Sequence, residues 1–226
     1  MDLYICEKPS QVKDLAGVMK ASQRGDGFLH DGGSRVITWA FGHLLELYMP
    51  ADYDERYKSW SLDTLPIAPE SWRYNVRKSV FKQYKIIEGL VKKASTIYIS
   101  TDYDREGEAI AWHLAHILGV DPNDKCRIEF HEITNAAVKN ALKNPQSIDL
   151  DKVDAQQTRR ILDRIVGYQL SPLLWRKVRK GLSAGRVQSV AVKIICDRQR
   201  EIDQFVPKEY WSLSVLLREN LKAPQF

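Results

Sequence analysis

Short apolar runs alternate with amphipathic stretches along the first 150 residues of the chain. The apolar runs predict four strands, at 3–6, 35–40, 96–100 and 126–131. The amphipathic stretches predict four helices, at 11–20, 81–93, 107–118 and 135–143, with Ser10 as the N-cap of the first. The glycine-rich stretch 25–33 and the proline-containing stretch 50–79 are expected to be irregular. This alternation predicts an α/β fold with a Rossmann-like, mostly parallel sheet.

After residue 150 the pattern becomes helical. The stretches 153–169 and 189–205 carry a helical pattern, with little strand signal before Trp211. We therefore predict a domain boundary near residue 150. The α/β domain would span 1–150, and the beginning of a mainly helical domain would span 151–226.

Composition narrows the class of protein. Of the 226 residues, 44% are hydrophobic, which is enough for a buried core and excludes a disordered chain. No apolar run approaches the ~18 residues that a membrane span needs, and the start of the chain has no signal peptide. We therefore expect a cytoplasmic protein with no membrane partner. The three cysteines, Cys6, Cys126 and Cys196, form no CxxC pair and predict neither a disulfide framework nor a zinc site.

Charge is distributed unevenly along the chain. Residues 1–150 hold 19 Lys and Arg against 21 Asp and Glu, a net of −2, whereas residues 151–226 hold 15 against 8, a net of +7. Eight of the basic residues fall within 159–186, together with one acid. A basic stretch behind an acidic one indicates polyanion binding beside a catalytic part. A solvated helix face would explain the charge equally well.

An acidic cluster, Asp102, Asp104, Glu106 and Glu108, follows the third predicted strand. Ligands of α/β sheets bind at the carboxyl ends of the strands. The alternation of Asp102 and Asp104 lets two carboxylates converge, with Glu106 one step further, and such hard oxygen ligands favour Mg²⁺. Alternatively, acids in the first turn of a helix complement its dipole, which accounts for the two glutamates better than for the two aspartates.

Glu7 and Lys8 end the first predicted strand. In a parallel sheet this place is equivalent to that of Asp102, so the two motifs can lie side by side. A carboxyl group beside other carboxylates can act as a proton donor, and a lysine can hold a phosphate as a point charge. An ordinary solvated pair at a strand end is the alternative.

Polar side chains recur every four residues in the basic segment, at Gln156, Arg160, Arg164 and Tyr168. They share one face of a predicted helix, and the apolar positions 161, 162, 165 and 166 are expected to face the core. Arginines and an aromatic ring suit single-stranded DNA. Surface ion pairs with Asp154 and Asp163 are the alternative.

A small-residue segment at 183–189 is expected to open a second helix. Its backbone N–H groups and Arg186 could seat a phosphate, which makes Ser183, Gly185, Arg186 and Gln188 candidate DNA contacts.

Long strings along the chain resemble the N-terminal part of type IA DNA topoisomerases, which contain a Toprim fold. The strings are EKPS (7–10), VITWAFGHLLE (36–46), YDERYKSW (53–60), LPIAPE (65–70), TDYDREGEAIAWHL (101–114), FHEIT (130–134), DAQQTRRILDRIVGYQLSPLLW (154–175) and GLSAGRVQSVAV (181–192). The first four are more similar to bacterial topoisomerase III, and the others to topoisomerase I. The resemblance implies an ATP-independent isomerase that passes DNA strands through a transient single-strand break, held by a 5′-phosphotyrosine link.

The resemblance also implies roles for the matching residues. Glu7 would protonate the leaving 3′ oxygen, and Lys8 would position the phosphate. Asp102 and Asp104 would hold Mg²⁺, or Mn²⁺ in its place, with Glu106 assisting.

Further expectations concern the partners. Arg105 would contact a phosphate or pair with a neighbouring acid.

Type IA enzymes carry their nucleophilic tyrosine in a Thr-Tyr-Pro-Arg-like context, which none of the ten tyrosines here has. We therefore expect an N-terminal fragment whose C-terminal portion is missing. The resemblance further implies DNA, preferentially single-stranded, as partner, and a monomer at the bacterial nucleoid.

Two other functions remain open. Another Toprim enzyme, such as a primase or an OLD-type nuclease, needs no tyrosine but has no counterpart of the strings at 154–192. A non-catalytic module that binds single-stranded DNA would keep the basic helices.

Overall fold

A computed structural model describes residues 1–58 and 61–216, so the end of the 53–60 string and the last ten residues lie outside the described part. The strands are β1 (Asp2–Cys6), β2 (Gln23–Gly25), β3 (Phe28–His30), β4 (Arg35–Trp39), β5 (Leu45–Leu47), β6 (Tyr74–Val76) and β7 (Thr96–Ser100). The helices are α1 (Pro9–Met19), α2 (Pro50–Tyr53), α3 (Phe81–Val91), α4 (Arg105–Leu118), α5 (Asn135–Lys143), α6 (Leu150–Lys177) and α7 (Arg186–Asp203). Short 3₁₀ turns cover Glu55–Lys58, Leu62–Thr64 and Lys78–Val80.

A five-stranded sheet has the order β2-β3-β4-β1-β7. β4 and β7 both pair with β1 in parallel, so that Cys6 is level with Trp39 on one side and with Ser100 on the other. The β2–β3 hairpin continues the sheet antiparallel beyond β4. The carboxyl ends of β1, β4 and β7 therefore meet at one edge, and the predicted α/β fold is confirmed.

Alternate residues of β1 supply two cores. Leu3 and Ile5 pack in a cluster that includes side chains of α3 and α4, whereas Tyr4 and Cys6 pack in a second cluster with side chains of α1 and α5. A strand that is buried on both faces is typical of a parallel sheet with helices on either side. The three cysteines are free, two of them buried and Cys196 exposed.

Two segments predicted to be irregular contain strands. Residues 25–33 include β3 and the end of β2, and the turn between them places Gly27 at a positive φ of 77°. The 50–79 stretch includes β6, which pairs with β5 as a separate two-stranded sheet. This part of the prediction is wrong, because strands of three residues are too short to show an alternating pattern.

The strand predicted at 126–131 is reduced to two isolated bridges of Arg127, one with Ile99 and one with Gln146. The N–H of Ile99 donates to the carbonyl of Cys126 at 2.7 Å, and the N–H of Ile128 donates to the carbonyl of Ile99 at 2.9 Å. These bonds place residues 126–128 along the outer edge of β7, but the ladder extends no further there.

The helical part begins with α6, a helix of 28 residues. The chain divides into two compact units, Met1–Gly185 and Arg186–Phe226, with α6 in the first and α7 in the second. The boundary near residue 150 stays a prediction. Among the described residues, no helix has both the length and the apolar character needed to cross a membrane.

Candidate active site at the carboxyl edge of the sheet

Glu7 and Lys8 directly follow β1 and meet Asp102, which lies just past β7. The main-chain N–H of Asp102 donates to Oε2 of Glu7 at 3.0 Å. Nζ of Lys8 lies 2.9 Å from Oδ2 of Asp102, and this hydrogen bond raises the pKa of the Lys8 ammonium. The Lys8 and Asp102 side chains are 48% and 41% exposed, so the pair is open to a ligand. Neighbouring parallel strands thus bring the two predicted motifs together.

Gln11 joins the two sides of this site. Its Oε1 accepts the main-chain N–H groups of Glu7 at 3.0 Å and Lys8 at 3.3 Å, and its Nε2 donates to Oδ1 of Asp102 at 2.5 Å. Ser10 lies within the first turn of α1, so the prediction of Ser10 as N-cap is wrong. Gln11 was not predicted as a site residue. Its signal is its place at the third helical position, from which a Gln side chain reaches back to the helix start.

Asp104 and Gly107 shape the turn into α4. Oδ1 of Asp104 accepts the N–H of Gly107 at 2.7 Å and so caps the helix. The hydroxyl of Thr101 donates to the carbonyl of Gly107 at 2.6 Å. A Cβ at Gly107 would collide with the main chain of Asp102, so glycine is required at this close approach.

Glu106 belongs to a different network. Its Oε1 lies 2.5 Å from Nε2 of His43, and its Oε2 accepts from Nε2 of Gln156 at 3.0 Å. Burial acts to raise the pKa of Glu106, but the hydrogen bonds from His43 and Gln156 lower it overall. Nδ1 of His43 in turn lies 3.2 Å from Nδ1 of His113.

The two histidines of this network are neutral near pH 7. Burial lowers the pKa of His43, and burial together with the nearby His43 and Arg160 lowers the pKa of His113 to about 3. A carboxylate can only accept, so a neutral His43 donates to Glu106 from Nε2 and accepts from His113 at Nδ1. The buried Nε2 of His113 then has no partner among the described residues. A lone histidine after a strand gives no sequence signal of a hydrogen-bond network that joins His113, His43 and Glu106.

The acidic cleft has a volume of about 340 Å³ and is lined by Gln11, Asp102, Tyr103, Asp104, Phe130, His131, Glu132 and Ile133. Proteins usually hold Mg²⁺ by one or two carboxylates and several waters, so Asp102 and Asp104 fit the chemistry of a divalent cation. No three His, Cys, Asp or Glu side chains in the described ranges are grouped to hold a metal. The structure therefore does not group Glu106 with the two aspartates in the described ranges; its carboxylate binds His43 and Gln156.

α6 carries four predicted DNA-binding side chains, those of Gln156, Arg160, Arg164 and Tyr168. Gln156 and Tyr168 are buried, and Arg160 donates to the carbonyl of Leu45 at 3.3 Å. Leu162, which was expected to face the core, is 41% exposed. The predicted orientation of α6 is therefore wrong at Leu162, while positions 161, 165 and 166 are half-buried, and the polar face packs inward through the contacts of Gln156 with Glu106 and of Arg160 with Leu45. A buried Tyr168 ring offers no stacking surface to a base.

The remaining candidates lie at helix starts. Arg105 is the first residue of α4 and is exposed. Ser183 and Gly185 lie at the end of the first unit, and Arg186 and Gln188 lie in the first turn of α7. The expected helix after the small-residue segment is confirmed, and phosphate binding there stays a prediction.

Two protein families match the chain. The sequence profile of the Toprim domain matches residues 2–133, more than half of the chain. The chain belongs to the Toprim family. A second profile, described as DNA topoisomerase, matches residues 147–225, so the Toprim domain continues into a topoisomerase domain. This combination confirms the resemblance to type IA topoisomerases and disfavours a primase or an OLD-type nuclease.

The Toprim chain is similar to bacterial topoisomerases. It is 56% identical to DNA topoisomerase 1 of Campylobacter jejuni over 139 residues, which cover 62% of this chain and 20% of that protein. It is 52% identical to DNA topoisomerase 1 of Pasteurella multocida over 153 residues, 67% of this chain and 18% of that protein. The structure of full-length topoisomerase I from Thermotoga maritima matches with a TM-score of 0.67 and 39% identity, over 91% of this chain and 31% of that one.

The chain thus spans about a fifth of the length of the curated relatives it matches. These relatives are named topoisomerase 1, and the likeness of the first four strings to topoisomerase III stays a prediction.

Proposed function

We propose that this Toprim chain supplies one half of the active site of a type IA DNA topoisomerase, which passes DNA strands through a transient single-strand break. The observation that carries the proposal is the contact between two motifs 95 residues apart, in which Glu7 accepts a hydrogen bond from Asp102. A proton donor, a cation and carboxylates at one sheet edge are the groups that phosphodiester cleavage and rejoining use. The topoisomerase profile at 147–225 supports this reaction.

Glu7 acts as the general acid in this proposal. A tyrosine loses its hydroxyl proton to solvent as its oxygen attacks the scissile phosphorus, the bond from phosphorus to the 3′ oxygen breaks, and Glu7 gives its proton to that oxygen. Lys8 keeps its positive charge, because its pKa is raised by the hydrogen bond with Asp102, and it can hold a phosphate oxygen. Rejoining runs in reverse, and the 3′ hydroxyl returns its proton to Glu7.

Toprim domains of topoisomerases bind divalent metal ions. We propose that Asp102 and Asp104 hold Mg²⁺, or Mn²⁺ in its place, because both line the acidic cleft. When bound, the ion supplies positive charge that orients the DNA backbone. Glu106 assists indirectly, by fixing the start of α4 against His43 and Gln156. Arg105 contacts a flanking phosphate.

Single-stranded DNA is the proposed substrate. Arg160 lies near Glu106, and Arg164 lies one turn further along α6, so these two guanidinium groups supply positive charge for binding DNA phosphates. The 183–188 segment is a separate proposed phosphate-binding segment. The enzyme works as a monomer at the bacterial nucleoid.

The nucleophilic tyrosine comes, in this proposal, from a polypeptide outside residues 1–226. The test is cleavage of a single-stranded oligonucleotide by residues 1–226, alone and with an added polypeptide that carries a Thr-Tyr-x-Arg segment. The chain alone should bind without cleaving. The mixture should cleave and leave the 5′ phosphate on the added protein. The Glu7→Gln variant should lose this cleavage, whereas the Tyr84→Phe variant, a control on α3, should cleave as the parent does.

Relaxation of negatively supercoiled plasmid by residues 1–226 alone, lost in Glu7→Gln, would overturn the proposal that the tyrosine comes from another polypeptide.

A non-catalytic module for single-stranded DNA is the second candidate, favoured by the basic residues of α6. Binding without cleavage, even in the mixture, would support that candidate.

A further inference from the structure

A buried ion pair lies behind the loop that carries Asp102. Nε of Arg127 is 3.0 Å from Oε2 of Glu108, and the two side chains are 0% and 1% exposed. A second carboxylate, that of Glu129, lies 3.8 Å from the same nitrogen. Burying a guanidinium is costly unless all its nitrogens find acceptors, so the placement of each one is informative.

The other two nitrogens of Arg127 bind the main chain at the end of β7. Nη1 donates to the carbonyls of Thr101 at 3.1 Å and Ile128 at 2.9 Å, and Nη2 donates to the carbonyl of Asp102 at 3.0 Å. The N–H of Asp102 is the group that binds Glu7. Arg127 therefore holds the peptide groups on both sides of Asp102, while the side chain of Asp102 stays in the acidic cleft.

Glu108 extends this contact to α6. Its Oε1 accepts the main-chain N–H of Asp149 at 2.7 Å, and Asp149 caps α6 through its own side chain. The two oxygens of one buried carboxylate thus bind Arg127 on one side and the start of α6 on the other.

Resting on the proposed function, we infer that Arg127 and Glu108 are positioning residues that hold the Asp102 loop in register with Glu7 and with the start of α6. Apolar side chains of similar volume would fill the same space and often preserve stability. Apolar side chains could not hydrogen-bond the carbonyls that Arg127 binds or the N–H of Asp149 that Glu108 binds, and so the pair has a role that packing does not replace.

The test uses the double variant Arg127→Met with Glu108→Leu, which removes both charges together and leaves no unpaired buried charge. The matched control changes the exposed pair on α3, Lys85→Met with Glu88→Leu, whose charged atoms are 2.9 Å apart. Three properties are measured: the melting temperature, the affinity for Mn²⁺ by electron paramagnetic resonance, and the hydrogen exchange rate of the Asp102 amide by NMR.

We expect the double variant to fold, to exchange the Asp102 amide faster, and to bind Mn²⁺ about 10–100-fold more weakly, the usual cost of losing groups that orient metal ligands. The control variant should keep the exchange rate of the Asp102 amide and the Mn²⁺ affinity of the parent. Arg127→Lys retains the charge but loses the planar fork, so it should show the same direction of change. This variant decides the matter if the double variant does not fold.

A folded variant with unchanged Asp102 exchange and unchanged Mn²⁺ affinity would overturn the positioning role. Absence of Mn²⁺ binding in the parent chain would instead contradict the metal part of the proposed function. The exchange rate of the Asp102 amide would then still decide the role of Arg127.

Discussion

The main-chain N–H of Asp102 binds the carboxylate of Glu7 at 3.0 Å and so joins the loop after β7 to the end of β1. The contact depends on strand register, because β1 and β7 pair residue by residue from Asp2 with Thr96 to Cys6 with Ser100. A slip of one residue would turn every side chain of a strand to the other face and separate the two groups. The geometry of the acid and of the metal-binding loop is therefore set by the core of the sheet.

Replacing both aspartates of the acidic cleft by asparagine should abolish binding of divalent metal. Asp102→Asn with Asp104→Asn removes the charge that attracts the ion, while asparagine can still cap α4 in place of Asp104. Titration with Mn²⁺, followed by electron paramagnetic resonance, checks this. Asp54→Asn is the control and should retain binding, because Asp54 pairs with Arg56 and does not line the cleft. A double variant that titrates like the parent would exclude this cleft as the metal site.

Gly107→Ala should destabilise the fold by about 1–3 kcal/mol, the usual cost of overpacking, and should weaken metal binding. The added Cβ would collide with the main chain of Asp102 and push the loop away from Glu7. Gly89→Ala in α3 is the matched control, since a Cβ there meets nothing within 4 Å. It should stabilise the helix by about 0.5–1 kcal/mol. Urea unfolding measures both, and equal stability of the two variants would contradict the close approach.

The free energy of unfolding should fall as the pH drops below about 6.5. His113 has a pKa of about 3 in the folded chain against 6.5 for an ordinary histidine. Between these values the unfolded chain binds a proton that the folded chain does not, so stability decreases by up to about 1.4 kcal/mol per pH unit. The loss levels off below pH 3.

Urea unfolding at pH 5, 6 and 7 measures this slope. His113→Gln removes the titrating group and should flatten the curve, whereas His131→Gln, at an exposed position outside this network, should leave it unchanged. Parallel curves for the parent and His113→Gln would show that His113 does not cause the pH dependence.

Arg164→Ala should weaken binding of single-stranded DNA across all sequences. If Arg164 contacts one phosphate, the slope of log K against log salt concentration should decrease by roughly 0.7. Arg56→Ala is the control, because Arg56 is exposed and paired with Asp54 at 3.0 Å. Fluorescence anisotropy at several salt concentrations gives the slopes, and an unchanged slope in Arg164→Ala would assign this arginine a structural role.

The place of the acid and the aspartates could be predicted because it follows from local features. Glu7 and Asp102 each come directly after an apolar run, and adjacent parallel strands end at the same edge. The inward face of α6 could not be predicted in this way. Gln156 is buried because Glu106, 50 residues earlier in the chain, accepts its hydrogen bond, and no local pattern shows such a partner. The contact between His43 and His113 went unpredicted for the same reason.

The edges of the five-stranded sheet have a consequence for handling the protein. A long, uncovered strand edge is a template on which other chains aggregate. Here residues 126–128 lie along the outer edge of β7, and β2 at the opposite edge is only three residues long. Neither edge offers a template of the usual strand length. We therefore expect concentrated solutions to resist edge-to-edge aggregation, which favours the long NMR and titration experiments described above.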